Sequence, residues 1–258
     1  MRKMRKNIKI LTAFTLSFLV LSPSMALAEI DFAQLVVLES ITPEEKFAKK
    51  FELTQNALGK AIERAESMKT GLEALSFEKD SVEVGLKDKY LAEADSYLAF
   101  YKESKEVLSS VEQLEDLNVL IQKVIDYREN IYAPSAKNVL EFILVFSYSP
   151  SVLETANKRF ESIKSDVERL ENLSLLESGL FSTELELSQK TLEEAGALQT
   201  QAKLILLSPY MESLSEDLNI EEGAPTAKQL AEESLNKIKG LYTIFIETGQ
   251  RVKNTLGI

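Results

Sequence analysis

Four adjacent glutamate pairs, Glu44-Glu45, Glu193-Glu194, Glu221-Glu222 and Glu232-Glu233, are the residues best suited by type to grip a cation or move a proton. Neighbours on a helix diverge by about 100°. Each pair therefore reads as a solvated face unless a second helix brings further ligands. Glu141 is a different case, because Val139, Leu140, Phe142, Ile143, Leu144, Val145 and Phe146 surround it. A carboxyl buried there would have a raised pKa and could act as an acid. The expectation is the plainer alternative, a helix-edge side chain whose carboxylate reaches water. Tyr97, Phe100 and Tyr101 form one aromatic group, and Tyr127 and Tyr132 another. Such rings either line a ligand groove or supply buried area, and core packing is expected.

The chain has no histidine, no cysteine and no tryptophan. Histidine is the one side chain whose unperturbed pKa lies near neutrality. Without it there is no Ser-His-Asp or Cys-His nucleophile, no zincin motif and no Glu-x-x-His pair for a di-iron bundle. Phosphate-cradling glycine loops and Asp-x-Asp-x-Asp calcium loops are also missing. Lys, Tyr, Ser and Glu remain able to support some catalysis, for example as a Ser–Lys pair. The residues nevertheless predict a non-enzymatic protein with no catalytic, cofactor-binding or metal-binding residues and no cofactor.

The elements that would carry these residues are helices. Ala231, Leu235, Ile238, Tyr242, Phe245, Gly249, Val252 and Leu256 step alternately by four and three, which is a heptad seam. A second seam runs Leu153, Ala156, Phe160, Ile163, Val167, Leu170, Leu173. Weaker ones run through 47–72, 91–108 and 185–205. Thr42-Pro43-Glu44-Glu45 fits a capping box with proline at the first helical position. APSAK at 133–137 returns as APTAK at 224–228, so both read as helix starts, and Ser149-Pro150 reads as a break or kink. The pattern predicts helices near 43–75, 80–112, 118–131, 135–148, 151–173, 181–208 and 225–256. A short helix is possible around 209–219.

Further matches occur in the same order. LEALS at 72–76 corresponds to LENLS at 170–174, LAEA at 91–94 to LEEA at 192–195, and EDLN at 115–118 to EDLN at 216–219. These predict an all-α fold: an elongated antiparallel helical bundle built from a degenerate duplicated helical hairpin, preceded by a cleavable signal peptide. The halves are expected at roughly 42–133 and 134–224, with a final helix at 225–256, all in one domain spanning 29–258.

Residues 1–28 are the signal peptide in this reading. MRKMRKNIK carries five positive charges, residues 10–21 are apolar, and Ala26 and Ala28 place small side chains before a cleavage site at Glu29. Removing them takes five basic and no acidic residues from totals of 30 and 41, so 25 against 41 remain, a formal net charge of −16. Such a surface disfavours nucleic acid. Phe32, Leu35, Val36, Val37 and Leu38 are too apolar for a free tail and are expected to dock on the bundle. No membrane span is expected after residue 28, since the run at 139–148 is short and contains Glu141. The expectation is a secreted or periplasmic structural or protein-interaction module with protein partners. The alternative is an extracytoplasmic module that holds a small molecule or cation between helices.

Overall fold

The computed structural model describes residues 42–211 and 224–257. The expected signal peptide with Ala26, Ala28 and Glu29, the apolar run at 32–38, residues 212–219 of the short helix and Glu221-Glu222 lie outside them. Every regular element among the described residues is helical. In chain order these are α1 (Pro43–Glu73), α2 (Val82–Ser109), α3 (Leu114–Tyr127), α4 (Ala133–Ile143), α5 (Ser149–Asn172), α6 (Ser182–Leu207) and α7 (Ala227–Leu256), with a single 3₁₀ turn at Ser208–Tyr210.

Local chemistry sets the helix starts at 42 and 226. The Thr42 amide donates to Glu45 Oε2 and the Glu45 amide to Thr42 Oγ1, each at 3.2 Å. Thr226 repeats the device: its amide donates to Gln229 Oε1 at 2.8 Å, and the Gln229 amide donates to Thr226 Oγ1 at 3.2 Å. Each box satisfies two amides that the helix itself cannot.

The expected start at APSAK and the expected break at Ser149-Pro150 are corrected by the structure. α3, α4 and α5 are one continuous helix of 59 residues, Leu114–Asn172. They are joined by π-helical turns at Arg128–Tyr132 and Leu144–Tyr148. Both turns end just before a proline. A proline ring inside an α-helix collides with the carbonyl four residues back and leaves it without a donor. Here the Ala133 N–H bonds the Arg128 carbonyl and the Ser149 N–H bonds the Leu144 carbonyl, five residues back, so each widened turn makes room for the ring that follows. The backbone stays in the right-handed helical region through both joins.

The described residues divide into two compact units, one of 42–61 with 102–124, the other of 62–101 with 125–211 and 224–257. In the first, Leu58, Leu108 and Leu117 are at most 1% exposed, and Lys50 Nζ donates to Asn118 Oδ1 at 2.6 Å.

In the second unit the long helix serves two sets of partners. Its 125–148 stretch packs with the end of α1 and most of α2. Ring contacts Tyr90–Phe142, Tyr97–Tyr132 and Tyr101–Tyr127 rise in number on one helix as they fall on the other, so α2 runs antiparallel to it. Gly71 lets α1 come close: a Cβ there would sit 3.2 Å from Ile143 Cδ1. The 149–172 stretch packs with α6 and α7 around Val152, Ala156, Phe160, Leu192, Ala195, Ile238 and Phe245. Glu194–Lys237 at 2.8 Å, Gln199–Ser234 at 3.1 Å and a Glu184–Arg251 ion pair show α6 and α7 antiparallel.

Within the long helix, an 18-residue window of mean hydropathy 1.3 is long and apolar enough to cross a membrane by length and composition. Val139, Phe142 and Val145 of that helix are at most 1% exposed, turned onto neighbouring helices.

Candidate functional site

The structure gathers both aromatic groups and Glu141 along the 125–148 stretch. α2 carries Tyr90, Glu93, Tyr97, Phe100 and Tyr101 at helical spacing, and the long helix faces them with Tyr127, Tyr132, Ser135 and Phe142. Tyr97 and Tyr132 pack edge to face at 5.1 Å, Tyr101 contacts both Tyr127 and Tyr132 at 5.7 Å, and Phe100 stacks on Tyr127 at 3.6 Å. Tyr97 and Tyr101 are each 2% exposed. Tyr97, Tyr101 and Tyr132 are core rather than groove, as their spacing predicts, and Phe100 and Tyr127 are half-buried beside them.

Glu93 accepts from two hydroxyls through one oxygen. The Tyr97 hydroxyl donates to Glu93 Oε2 at 3.3 Å, and Ser135 Oγ donates to the same atom. This is what the serine of APSAK does in place of capping a helix. Burial pushes the Tyr97 phenol up to about 12, with the Ser135 hydrogen bond opposing the shift and the Glu93 charge adding to it. Burial also raises Tyr101, reinforced by Tyr132 and Tyr127, and raises Tyr132 against the opposing charges of Arg64 and Arg128. Tyr90 is raised by burial first, then by Tyr210, with which it shares a hydrogen bond, and by the carboxylates of Glu93 and Glu141. Phenols held this far above neutrality keep their protons. They can donate hydrogen bonds but serve poorly as bases or nucleophiles.

Glu141 is neither a free edge residue nor an acid sealed in the core. It is half-buried, and its Oε1 accepts the Lys228 amide at 2.9 Å. Lys228 is the second residue of α7, so the carboxylate caps the positive end of a helix that begins 86 residues later. Together Glu141, Thr226 and Gln229 occupy the amides around that start.

The carboxylate pairs are dispersed. Glu45 closes the first capping box, Glu193 accepts from Gln189 Nε2 at 3.0 Å, and Lys228 lies 3.6 Å from Glu232. A hydrogen bond from the Lys237 ammonium and its charge hold the Glu194 carboxyl below its usual range. Among the described residues no three acids gather as a cation site.

Sequence reasoning missed a second polar cluster between α5, α6 and α7. Gln199 Nε2 donates to the Ser149 carbonyl at 2.9 Å and to Ser234 Oγ at 3.1 Å, and Ser234 Oγ donates to the Ala195 carbonyl at 2.9 Å. Both side chains are at most 5% exposed. Gln199 also lines an open cleft with Pro150, Leu153, Asn157, Lys158 and Glu161. An amide and hydroxyls offer hydrogen bonds but no acid–base group. Buried among apolar seams, they favour the one helix register that satisfies them. The apolar seams run unbroken past Gln199 and Ser234, so their spacing carries no signal of the cluster.

Family models, curated proteins and solved structures were all compared with the chain, and none matches it.

Proposed function

We propose that the chain is an exported, non-enzymatic helical bundle that works as a structural or protein-interaction module at the cell envelope or outside the cell. One observation carries this reading. The groups best suited to chemistry are engaged in joining helix to helix: Glu141 caps α7, Glu93 accepts from two hydroxyls, and the buried Tyr97 phenol stays protonated. Large apolar side chains stand exposed instead, with Leu173 at 62%, Leu175 at 53%, Leu187 at 50% and Ile246 at 48%. Export is supported by the basic start, the apolar run at 10–21 and the Ala26/Ala28 site before Glu29. A duplicated hairpin is supported by where the matches fall. LEALS and LENLS close α1 and α5, the first helices of two hairpins, while LAEA and LEEA lie in α2 and α6, the second helices.

Crosslinking and affinity capture from the native envelope and secretome test the interaction reading. A specific protein partner is expected. Repeated failure to recover one counts against it. The cleft beside Gln199 favours a second reading, a module that binds a small molecule between helices. A ligand at 100 times its Kd would add about 2.7 kcal/mol of stability, which a melting screen detects. A flat response across metals, polyamines, amino acids and cell-wall fragments removes that reading.

A further inference from the structure

The two hairpins end in different tips, although their first helices close on matching sequence, LEALS at 72–76 and LENLS at 170–174. In the first, Leu75 is 6% exposed, and Phe77 packs edge-on against Phe142 at 5.9 Å and Phe146 at 5.3 Å. The long helix runs past this tip and covers it with two aromatic rings one turn apart. Lys87 adds a cation, its Nζ donating to the Glu73 and Leu75 carbonyls at the end of α1. In the second, Leu173 holds the place of Leu75 in the matching motif yet is 62% exposed, and Leu175 is 53% exposed. Ser174 turns the chain through a left-handed conformation at φ 56°, and Leu176 and Phe181 fill the core beneath with Val167. Leu173 and Leu175 are thus surplus to that core. No described helix passes over them: α7 packs Val252 and Leu256 on the Val167 cluster and stops, with Gly257 left-handed at φ 67°.

We propose that this Leu173/Leu175 tip is a docking site for a short amphipathic helix of another protein, bearing two aromatic or bulky aliphatic side chains four residues apart and a Lys or Arg beside them. The inference rests on the interaction reading above and gives it an address. The first tip supplies the template for the apolar contact. Charge supplies the basic residue. Glu168, Glu171 and Glu177 flank the tip at the negative end of the α5 dipole, with Glu171 accepting the Gly179 amide at 3.0 Å. The cations around it are engaged: Arg169 lies 3.3 Å from Asp166, and Arg251, over the Phe181 ring at 5.1 Å, is paired with Glu184. Ser188 on α6 stands where the α2/α6 match would put a counterpart of Lys87, so the second tip lacks that lysine. A second copy of the chain fits less well, because its Phe142 and Phe146 already cover its own first tip. Two leucines make a small contact, so binding is expected to be weak and reversible, with Kd of order 100 µM.

The test uses a labelled synthetic peptide of residues 137–150, which carries Lys137, Phe142 and Phe146, titrated with the purified full chain by fluorescence anisotropy. Saturable binding is expected, weakened at least 10-fold by L173S/L175S in the protein and by F142A/F146A in the peptide, with the protein's melting temperature unchanged. Equal binding by the L173S/L175S variant, or no saturation by about 1 mM peptide, overturns the proposal. So does a dimer of the chain that the same double variant abolishes, which would make a second copy the occupant. Crosslinked capture of one partner equally by wild type and variant would keep the interaction reading and remove this site. Tip-dependent peptide binding with no partner in the native envelope would do the reverse.

Discussion

APSAK and APTAK differ by one hydroxyl-bearing residue, yet the first lies inside a 59-residue helix and the second opens a new one. Thr226 caps the amide of Gln229, whereas Ser135 donates sideways to Glu93 on α2. What separates them is what precedes the motif. Upstream of Ala133 the chain is already helical and pinned by Tyr127 and Tyr132 against Tyr97 and Tyr101, so a π-turn absorbs Pro134 more cheaply than the packing could be abandoned. A helix-start signal is permissive, and tertiary contact decides whether it is used.

The largest way to break this comparison is to remove the packing that holds the first motif inside its helix. Phe142 is fully buried and touches Phe77, Tyr90 and Phe146. F142A is expected to lose about 3–5 kcal/mol in urea unfolding. A loss below about 1 kcal/mol would mean that the aromatic layer does not hold the long helix in place.

High pH attacks the same layer. Tyr97 has its phenol raised to about 12 in the fold, against about 10 for an unperturbed tyrosine, so the folded state holds that proton more tightly than the unfolded chain. The stabilisation is complete below pH 10 and is lost as pH rises towards 12. Urea midpoints should fall across that window, with the late tyrosinate absorbance at 295 nm appearing together with loss of helix. Tyrosines that all titrate near pH 10 in a folded protein would contradict this.

The sign of P134A separates the two roles of the motif. At a true helix start, proline is preorganised and its replacement costs stability. Inside a helix it is a burden, partly relieved here by the π-turn, so P134A is expected to gain about 1 kcal/mol with no change in helix content. T226A should do the opposite, losing about 1 kcal/mol and speeding amide exchange at 227–230. If P134A and T226A both destabilise, the motifs are equivalent after all.

Much of this architecture is legible in the sequence because apolar spacing is a local property. Ala231, Leu235, Ile238 and Phe245 are buried where the seam puts them. The same seam fails later: Thr248 is buried and Gly249 exposed. A strict seven-residue repeat drifts about 20° per heptad from a straight 3.6-residue helix, which is enough to hand the core from one position to its neighbour. Leu173 fails for another reason, since periodicity marks a face without showing whether a neighbouring helix reaches that far. The polar contacts were invisible. Ser135 meets Glu93 across 42 residues and Glu141 meets Lys228 across 87, and no local pattern relates such partners.

Glu141 gives the smallest and most discriminating test of how APTAK begins its helix. A sealed functional acid would make E141Q costly or abolish an activity, and an unattached edge residue would make it silent. A cap from another helix predicts something between. E141Q keeps an oxygen for the Lys228 amide and loses only the charge facing the α7 dipole, so a loss of about 0.3–1 kcal/mol at low ionic strength is expected, shrinking with salt. E141A loses the acceptor as well, so it should cost more than E141Q, about 1 kcal/mol, and should speed amide exchange at Lys228 while leaving that at Ala136 and Val139 unchanged. Exchange at Lys228 indifferent to both variants would mean that Thr226 and Gln229 start α7 unaided, and that the difference from APSAK lies in the Thr226–Gln229 box alone.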